Sequence, residues 1–431
     1  MKKSLLSEAQ KIFFIGIGGI GVSAVARMMF LEDKKVSGSD ITQSEITDEL
    51  QKLGVKIHIG QSADLVPKET DLVIYSPAIS VYDPEIVKTL QKRKINAITY
   101  PEALHEISKD KYTIAISGTH GKTTTTAMIA KIMLDAKLDP TVIVGSILKD
   151  QKSNFIAGKS KYFIVEACEY RKSFLDIEPT IAVVTNIDND HLDYYKDIGA
   201  IQNAFHEFVS KVPKNGYIIC ETAHKRIEPI VKNLSGKIVN YADFREEDLK
   251  LKVPGKHMRD DAACALAVAH ILGIPKKNAE RSLEEFSGTW RRFEYKGITK
   301  NGALVYDDYG HHPTEVKATL AGAREFFGKK NIVVVFQPHL YSRTKLLLND
   351  FATAFSDADE VLIAPIYAAR EKLDASITSE MLAQKIKNTH ARAFDNFSDI
   401  EMYLAEKIQE GDVVITMGAG DVYKIGEHLL Q

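Results

Sequence analysis

Glycine, lysine and threonine fall at phosphate-binding spacing in Gly118-Thr119-His120-Gly121-Lys122-Thr123-Thr124. An apolar run, Tyr112–Ile116, precedes them, and a helix-forming stretch, Ala127–Leu134, follows. In a strand–turn–helix, the backbone N–H groups of a glycine turn converge on an oxyanion at the helix N-terminus. Lys122 adds a point charge, and the Thr123 hydroxyl suits a magnesium ion that bridges the phosphates. The usual loop has another glycine five residues before Gly121, where this chain has Ile116. The loop is therefore a shortened G-x-x-G-K-T form, and it implies a bound nucleoside triphosphate.

A second glycine pattern, Gly16-Ile17-Gly18-Gly19-Ile20-Gly21, satisfies G-x-G-x-x-G, with Asp40 placed 19 residues after Gly21. Such a turn cradles a diphosphate at a helix N-terminus and sets a carboxylate near a ribose. The pattern alone does not say which nucleotide: a dinucleotide such as NAD is the obvious candidate, and a nucleotide-sugar diphosphate is the other. An NAD-dependent oxidoreductase built on this turn would leave Lys122 without a role. Two phosphate loops together imply an enzyme that spends a triphosphate on a second nucleotide-bearing molecule.

Groups for metal and substrate chemistry follow apolar runs. Glu166 ends one run, and His191 closes Thr185-Asn186-Ile187-Asp188-Asn189-Asp190-His191 after another. A carboxylate and an imidazole at strand ends are placed to hold a second magnesium ion, although so hard a cation prefers oxygen. Glu169, Asp188 and Asp190 compete for that role, and spacing does not choose among them. Asp307-Asp308-Tyr309-Gly310-His311-His312 and Gln337-Pro338-His339-Leu340-Tyr341-Ser342-Arg343 each follow a further apolar run. Zinc on His311 and His312 is disfavoured, because no cysteine partners lie at zinc spacing. Gly418-Ala419-Gly420-Asp421 either serves substrate or merely turns the chain.

The elements that must position these groups alternate between strand-like and amphipathic helical runs, the pattern of an α/β protein with mostly parallel sheets. Strands are predicted at Lys11–Ile17, Lys34–Ser37, Val55–Ile59 and Asp71–Tyr75, then at Tyr112–Ile116, Tyr162–Glu166, Ile181–Thr185 and Tyr217–Cys220. The last group is Leu304–Asp307, Ile332–Phe336, Val361–Ala364 and Val413–Met417. Helices are expected at about Asp260–Leu272 and Asn278–Phe286. The chain of 431 residues divides into three domains at 1–109, 110–292 and 293–431.

Composition narrows the class. Hydrophobic residues make up 45% and charged ones 26%, values typical of a soluble globular protein. A net charge of −2 gives no electrostatic case for nucleic acid or an anionic membrane. Cys168, Cys220 and Cys264 form no framework, which favours reduced thiols in a cytoplasm. Lys2, Lys3 and Lys11 before an apolar stretch resemble a secretory signal, but the phased glycines explain that stretch better. No run approaches a membrane span.

The residues Gly118–Thr126, Thr185–His191, Arg291-Arg292-Phe293-Glu294 and the two C-terminal motifs resemble the Mur ligases of bacterial cell-wall synthesis, over essentially the whole chain. Gly16–Gly21, Gly38-Ser39-Asp40, Asp308–Glu315 and Phe336–His339 are most similar to the alanine-adding members. The resemblance implies a Rossmann-like UDP-sugar domain, a central phosphate-loop ATPase domain and a Rossmann-like C-terminal domain for the amino acid. It implies ATP, Mg2+, UDP-N-acetylmuramate and L-alanine as ligands, with no nucleic acid. Gly18, Gly19, Gly21 and Asp40 would serve the UDP-sugar. Gly118, Thr119, His120, Gly121, Lys122, Thr123, Thr124, Asp261, Arg292 and Asp308 would serve ATP. Thr123, Glu166 and His191 would hold the metal, while His311, His339 and Arg343 would line the meeting point of sugar acid and amine. Lys122, His191 and Arg343 would be catalytic.

The chain departs from the family pattern twice. Gly255-Lys256-His257-Met258-Arg259-Asp260-Asp261 replaces a Gly-x-His-Asn-x-x-Asn stretch, so an acid stands where an amide reads adenine. Leu340 stands where alanine-adding members often have arginine. A sister ligase, adding a recovered peptide or a later residue, and a nucleotide-switched binding protein are the alternatives.

Overall fold

The computed structural model describes residues 5–149, 151–191, 194–369 and 371–431; Lys2 and Lys3 lie outside them. Two compact units emerge, one of Met1–Lys250 with Asp260–Phe286, the other of Leu251–Arg259 with Ser287–Gln431. Among the described residues, no helix is long and apolar enough to cross a membrane.

The first unit holds two sheets. One comprises β1 (Lys11–Ile15), β2 (Lys35–Asp40), β3 (Lys56–Ile59), β4 (Leu72–Tyr75) and β5 (Ala97–Thr99), in the order β3-β2-β1-β4-β5. The other comprises β6 (Tyr112–Ser117), β7 (Thr141–Leu148), β8 (Ser153–Ile156), β9 (Tyr162–Glu166), β10 (Ile181–Val184), β11 (Tyr217–Cys220) and β12 (Lys237–Asn240). Their order is β12-β11-β10-β6-β9-β7-β8, with only β7 and β8 antiparallel. Strands covered on both faces read as unbroken apolar runs, and β4, β6 and β10 do so, with Leu72–Tyr75, Thr113–Ser117 and Ile181–Val184 all buried. One apolar cluster joins the two sheets, from Phe14, Ile17 and Met29 to Phe163, Phe174 and Phe205. Asn154 on β8 adds a polar tie, donating to Ile20 O and to Ser23 Oγ (2.9 Å) in helix Ile20–Leu31.

The second unit holds β13 (Glu294–Ile298), β14 (Leu304–Asp308), β15 (Ile332–Phe336), β16 (Glu360–Ile363), β17 (His390–Ala393) and β18 (Val413–Met417). Their order is β13-β14-β18-β15-β16-β17, parallel except for β13 against β14. The expectation of mostly parallel α/β sheets is met.

Six strands escaped the reading of the sequence: β5, β7, β8, β12, β13 and β17. Most are short or half-exposed; β12 (KIVN) is an edge strand with no buried residue. Gly145 interrupts the apolar pattern of β7. The helix expected from Ala127 instead spans Lys122–Asp135. Four successive threonines are poor helix formers, but Thr123–Thr126 are all buried here. Thr126 Oγ1 donates to Lys122 O at 2.8 Å, and Thr125 Oγ1 donates to Asp261 Oδ1 at 3.0 Å. Tertiary partners override the propensity.

Candidate active site

Both glycine turns leave the central strand of their sheet, β1 between β2 and β4, and β6 between β10 and β9. There the connections diverge to opposite sides and open a crevice beyond the carboxyl ends of the strands. In the turn after β6, Gly118 has φ +137° and Gly121 φ +83°. A Cβ on Gly118 would lie 2.0 Å from Thr185 Oγ1, and one on Gly121 2.3 Å from Asp261 Oδ1. Only glycine fits either place. Asn186 fixes the loop between them. Its side chain accepts from His120 N (3.0 Å) and donates to His120 O (3.1 Å), and its own carbonyl accepts from Thr119 N (3.0 Å).

Lys122, the first residue of the helix, folds back over its own loop. Its Nζ donates to Gly118 O (2.5 Å) and Thr119 O (3.0 Å) and pairs with the Glu169 carboxylate at 3.0 Å. Burial disfavours the Lys122 ammonium, but its neighbours, Glu169 foremost, together outweigh it and hold the pKa above the ordinary lysine value. Burial likewise disfavours the Glu169 carboxylate, and Lys122 with His191 brings its pKa below the usual range. Tyr195 OH donates to Glu169 O at 2.5 Å and anchors that segment.

Thr123 Oγ1 donates to Glu166 Oε2 at 3.2 Å, and Glu166 Oε1 accepts from Gly145 N at 2.5 Å. A hydroxyl and a carboxylate brought together beside a phosphate loop are oxygen donors of the kind magnesium takes. His191 sits instead against Glu169, Nε2 to Oε1 3.6 Å, with its ring 4.7 Å from that of Tyr170. Its φ of +54° is uncommon for a side-chain-bearing residue. Of the competing acids, Asp188 is turned toward Arg226 and His120, and Asp190 Oδ1 accepts from His191 N at 2.7 Å.

In the turn after β1, Gly16 takes φ +78°. The Asp40 carboxylate at the end of β2 accepts from Gly18 N at 2.8 Å, so it binds the loop itself. A Cβ on Gly21 would meet the Tyr100 ring at 2.6 Å. Gly19 precedes the helix as its N-cap.

In the second unit, adjacent look-alike residues have different surroundings. Arg291 is buried against Asp307, whereas Arg292 lies over the Tyr309 ring at 5.2 Å. His312 Nδ1 accepts from Thr314 N as the cap of helix Pro313–Phe327. His311 Nδ1 donates to Tyr309 O at 3.2 Å, and its ring lies 5.5 Å from that of His339. Arg343 Nη1 donates to His339 Nδ1 at 3.1 Å, which assigns the proton of the neutral ring to Nε2. Tyr367 stacks on His339 with 15° between planes. No motif marked Tyr367; it comes from the loop after β16. Gln337 Oε1 accepts from Val422 N at 3.2 Å, and Gln337 leaves no room for a Cβ on Gly420. That packing explains the glycine in Gly418-Ala419-Gly420-Asp421.

Asp308 supplies a pH signature. Its carboxyl accepts from Phe293 N (2.8 Å) and Gly310 N (2.7 Å). Burial nevertheless pushes its pKa up to about 6, against the pull of Arg292 and of those N–H groups. A folded pKa above the unfolded one means that the native state binds the proton more tightly. This contribution is therefore present at low pH and lost as pH rises from about 4 to about 6. Compared with Asp308→Asn, the wild type is expected to lose about 2–3 kcal/mol over that window. Parallel stability curves from urea denaturation at a series of pH values would refute the assignment.

Comparison with known proteins covers the whole chain. Residues 11–112 match the family described as "Mur ligase family, catalytic domain", residues 116–265 "Mur ligase middle domain", and residues 291–420 "Mur ligase, glutamate ligase domain". The UDP-N-acetylmuramate–L-alanine ligase of Clostridium kluyveri is 43% identical, covering 97% of each chain. That of Clostridium tetani is 42% identical over 100% of both. Among solved structures, the UDP-N-acetylmuramate-alanine ligase of Thermotoga maritima superimposes with a TM-score of 0.80 at 29% identity, covering 97% of this chain and 98% of that one. A murein peptide ligase of Psychrobacter arcticus shares the fold, with a TM-score of 0.71 at 24% identity over 98% of both chains.

Proposed function

The chain belongs to the Mur ligase family, and from that premise we propose that it joins L-alanine to the lactyl carboxylate of UDP-N-acetylmuramate at the expense of ATP, in peptidoglycan synthesis. The observation that carries this reading is 42–43% identity, along essentially the full chain, to relatives of that name. The absence of a disulfide among the free cysteines Cys168, Cys220 and Cys264 and the nature of the substrates support a cytoplasmic reaction.

A free carboxylate resists attack because its leaving group would be oxide. An oxygen of the lactyl carboxylate therefore attacks the γ-phosphorus of ATP; the bond to the bridging oxygen breaks and ADP leaves. The amino nitrogen of L-alanine then attacks the acyl carbon, phosphate leaves with the C–O electron pair, and the nitrogen gives up a proton. Gly18, Gly19 and Gly21 bring the turn close to the UDP diphosphate; Asp40 holds Gly18 N–H and Gly16 O holds Gly19 N–H, so the N–H groups that meet the diphosphate are those at the start of helix Ile20–Leu31. The loop from Gly118 to Thr124 cradles the triphosphate with the N–H groups at the start of its helix and the Lys122 ammonium, while the N–H groups of Thr119 and His120 hold the loop to Asn186; positioning with charge neutralisation dominates this chemistry. Thr123 and Glu166 fit Mg2+, with His191 behind Glu169; bound there, it would neutralise charge on the phosphates.

Asp261 accepts from the adenine amino group but offers it no donor. Arg292 and Asp308 serve ATP. His311, His339 and Arg343 meet the sugar acid and the amine, and Arg343 takes the amino-acid carboxylate in the absence of an arginine at Leu340.

The test is phosphate release with UDP-N-acetylmuramate, ATP and each amino acid in turn, with the product identified by mass spectrometry. L-Alanine is expected to give the highest kcat/KM. Glycine should fall behind by roughly 10–200-fold, because one methyl group in a pocket is worth only about 1–3 kcal/mol. A preference for a peptide or for a later stem residue would reassign the chain to a sister ligase.

A further inference from the structure

The phosphate-loop lysine is already saturated. An ammonium has three N–H donors, and those of Lys122 have Gly118 O at 2.5 Å, Thr119 O at 3.0 Å and the Glu169 carboxylate at 3.0–3.2 Å. A phosphate oxygen that binds Lys122 must displace one of them. The two carbonyls belong to the loop, which Asn186 holds through Thr119 N and the His120 backbone. Glu169 is the partner that can yield. It is itself 2% exposed, so a carboxylate parted from Lys122 would not pass into water. Its charge would lie beside the incoming phosphates, with His191 Nε2 at 3.6 Å.

We propose that Glu169 makes nucleotide binding conditional on a divalent cation, and is the residue by which this site distinguishes metal-bound from free triphosphate. The inference rests on Lys122 as the triphosphate lysine. A free triphosphate brings roughly four negative charges toward a buried carboxylate, and at low dielectric that repulsion is strong. A divalent ion carried in with the phosphates cancels part of it, and the Thr123–Glu166 pair offers the oxygen donors that fit such an ion. Glu169 thus taxes the wrong form of the nucleotide without needing to touch it.

The experiment is equilibrium binding of ATP to the full chain at fixed ionic strength, with magnesium or with EDTA, for the wild type and Glu169→Gln. Wild type should bind ATP about tenfold or more weakly in EDTA. In Glu169→Gln the gap should close to about threefold or less, through tighter binding in EDTA. A wild-type series in EDTA supplies a second readout, since affinity should not rise from AMP to ADP to ATP, whereas it should rise with magnesium. A variant that keeps the wild-type gap, or a wild type that binds ATP equally with and without magnesium, overturns the proposal. If circular dichroism shows Glu169→Gln unfolded, the phosphate series decides alone. A folded wild type that binds no nucleotide even with magnesium would instead overturn the reading of the loop, and this outcome is distinct from both.

Discussion

Lys122→Ala should lose at least several hundredfold in kcat while UDP-N-acetylmuramate binding stays close to wild type. Removing one preorganised charge from a transition state costs about 3–4 kcal/mol of barrier, by analogy with oxyanion-hole deletions. The UDP-sugar loop leaves a different sheet, after β1, and its geometry depends on Asp40, Ser39 and Tyr100 and not on Lys122. The structure adds a complication. Lys122 is the ion-pair partner of the buried Glu169, and removing one member of such a pair strands the other, at about 3–5 kcal/mol. The single variant should therefore melt below wild type. The double variant Lys122→Ala/Glu169→Gln removes the stranded charge and should recover much of that stability with no recovery of turnover. Calorimetric titration with the UDP-sugar and thermal melts of both variants separate the two effects. Were turnover to return with stability, Lys122 would be a folding residue and the catalytic assignment would fall.

Much of this site was legible because glycine loops announce themselves. Gly118, Gly121 and Gly16 take backbone angles that other residues avoid, so composition and geometry coincide. The apolar runs that deliver those loops, β1 and β6, are central strands with a clear signal. Other parts were hidden for a physical reason. Glu166 and Glu169 lie three residues apart at the end of one strand, and which of them meets Thr123, Lys122 or His191 depends on side-chain directions that spacing does not encode. Asn186 looks like any loop asparagine until its amide is seen paired with the His120 backbone. Tyr367 belongs to a loop between β16 and the helix Ser379–Lys385, and its stacking on His339 arises only when β15 and β16 pair. The edge strands β12 and β17 carry half-exposed, mixed sequences, and sheet pairing rather than intrinsic preference makes them strands.

Arg291→Ala should destabilise the second unit by about 3–5 kcal/mol, the loss expected when half of a buried ion pair is removed. Arg291 is 3% exposed and Asp307 1%. The guanidinium donates in three directions, to Asp307 Oδ2 (2.7 Å), Gly420 O (2.8 Å) and Gly418 O (2.6 Å). It thereby joins the end of β14 to the turn that follows β18. It also lies under aromatic rings, 4.6 Å from the centre of Tyr423 and 5.2 Å from that of Tyr309. Burial raises the Asp307 pKa even with Arg291 present; without it, the carboxylate would keep Thr416 Oγ1, which donates at 2.7 Å, and the pull of Lys296. Arg291→Lys should recover little, because one ammonium on a flexible stem cannot reproduce a planar fork aimed at a carboxylate and two carbonyls. Arg292→Ala, one residue along, should cost less, about 1–2 kcal/mol, since it removes a contact over Tyr309 and a Coulombic pull on Asp308, whose carboxyl keeps the N–H groups of Phe293 and Gly310. Its damage should fall on the KM for ATP. Urea denaturation of the three variants, with ATP kinetics for the Arg292 change, tests this division of labour. It fails if both arginines unfold the protein equally, or if Arg291→Ala is as stable as wild type.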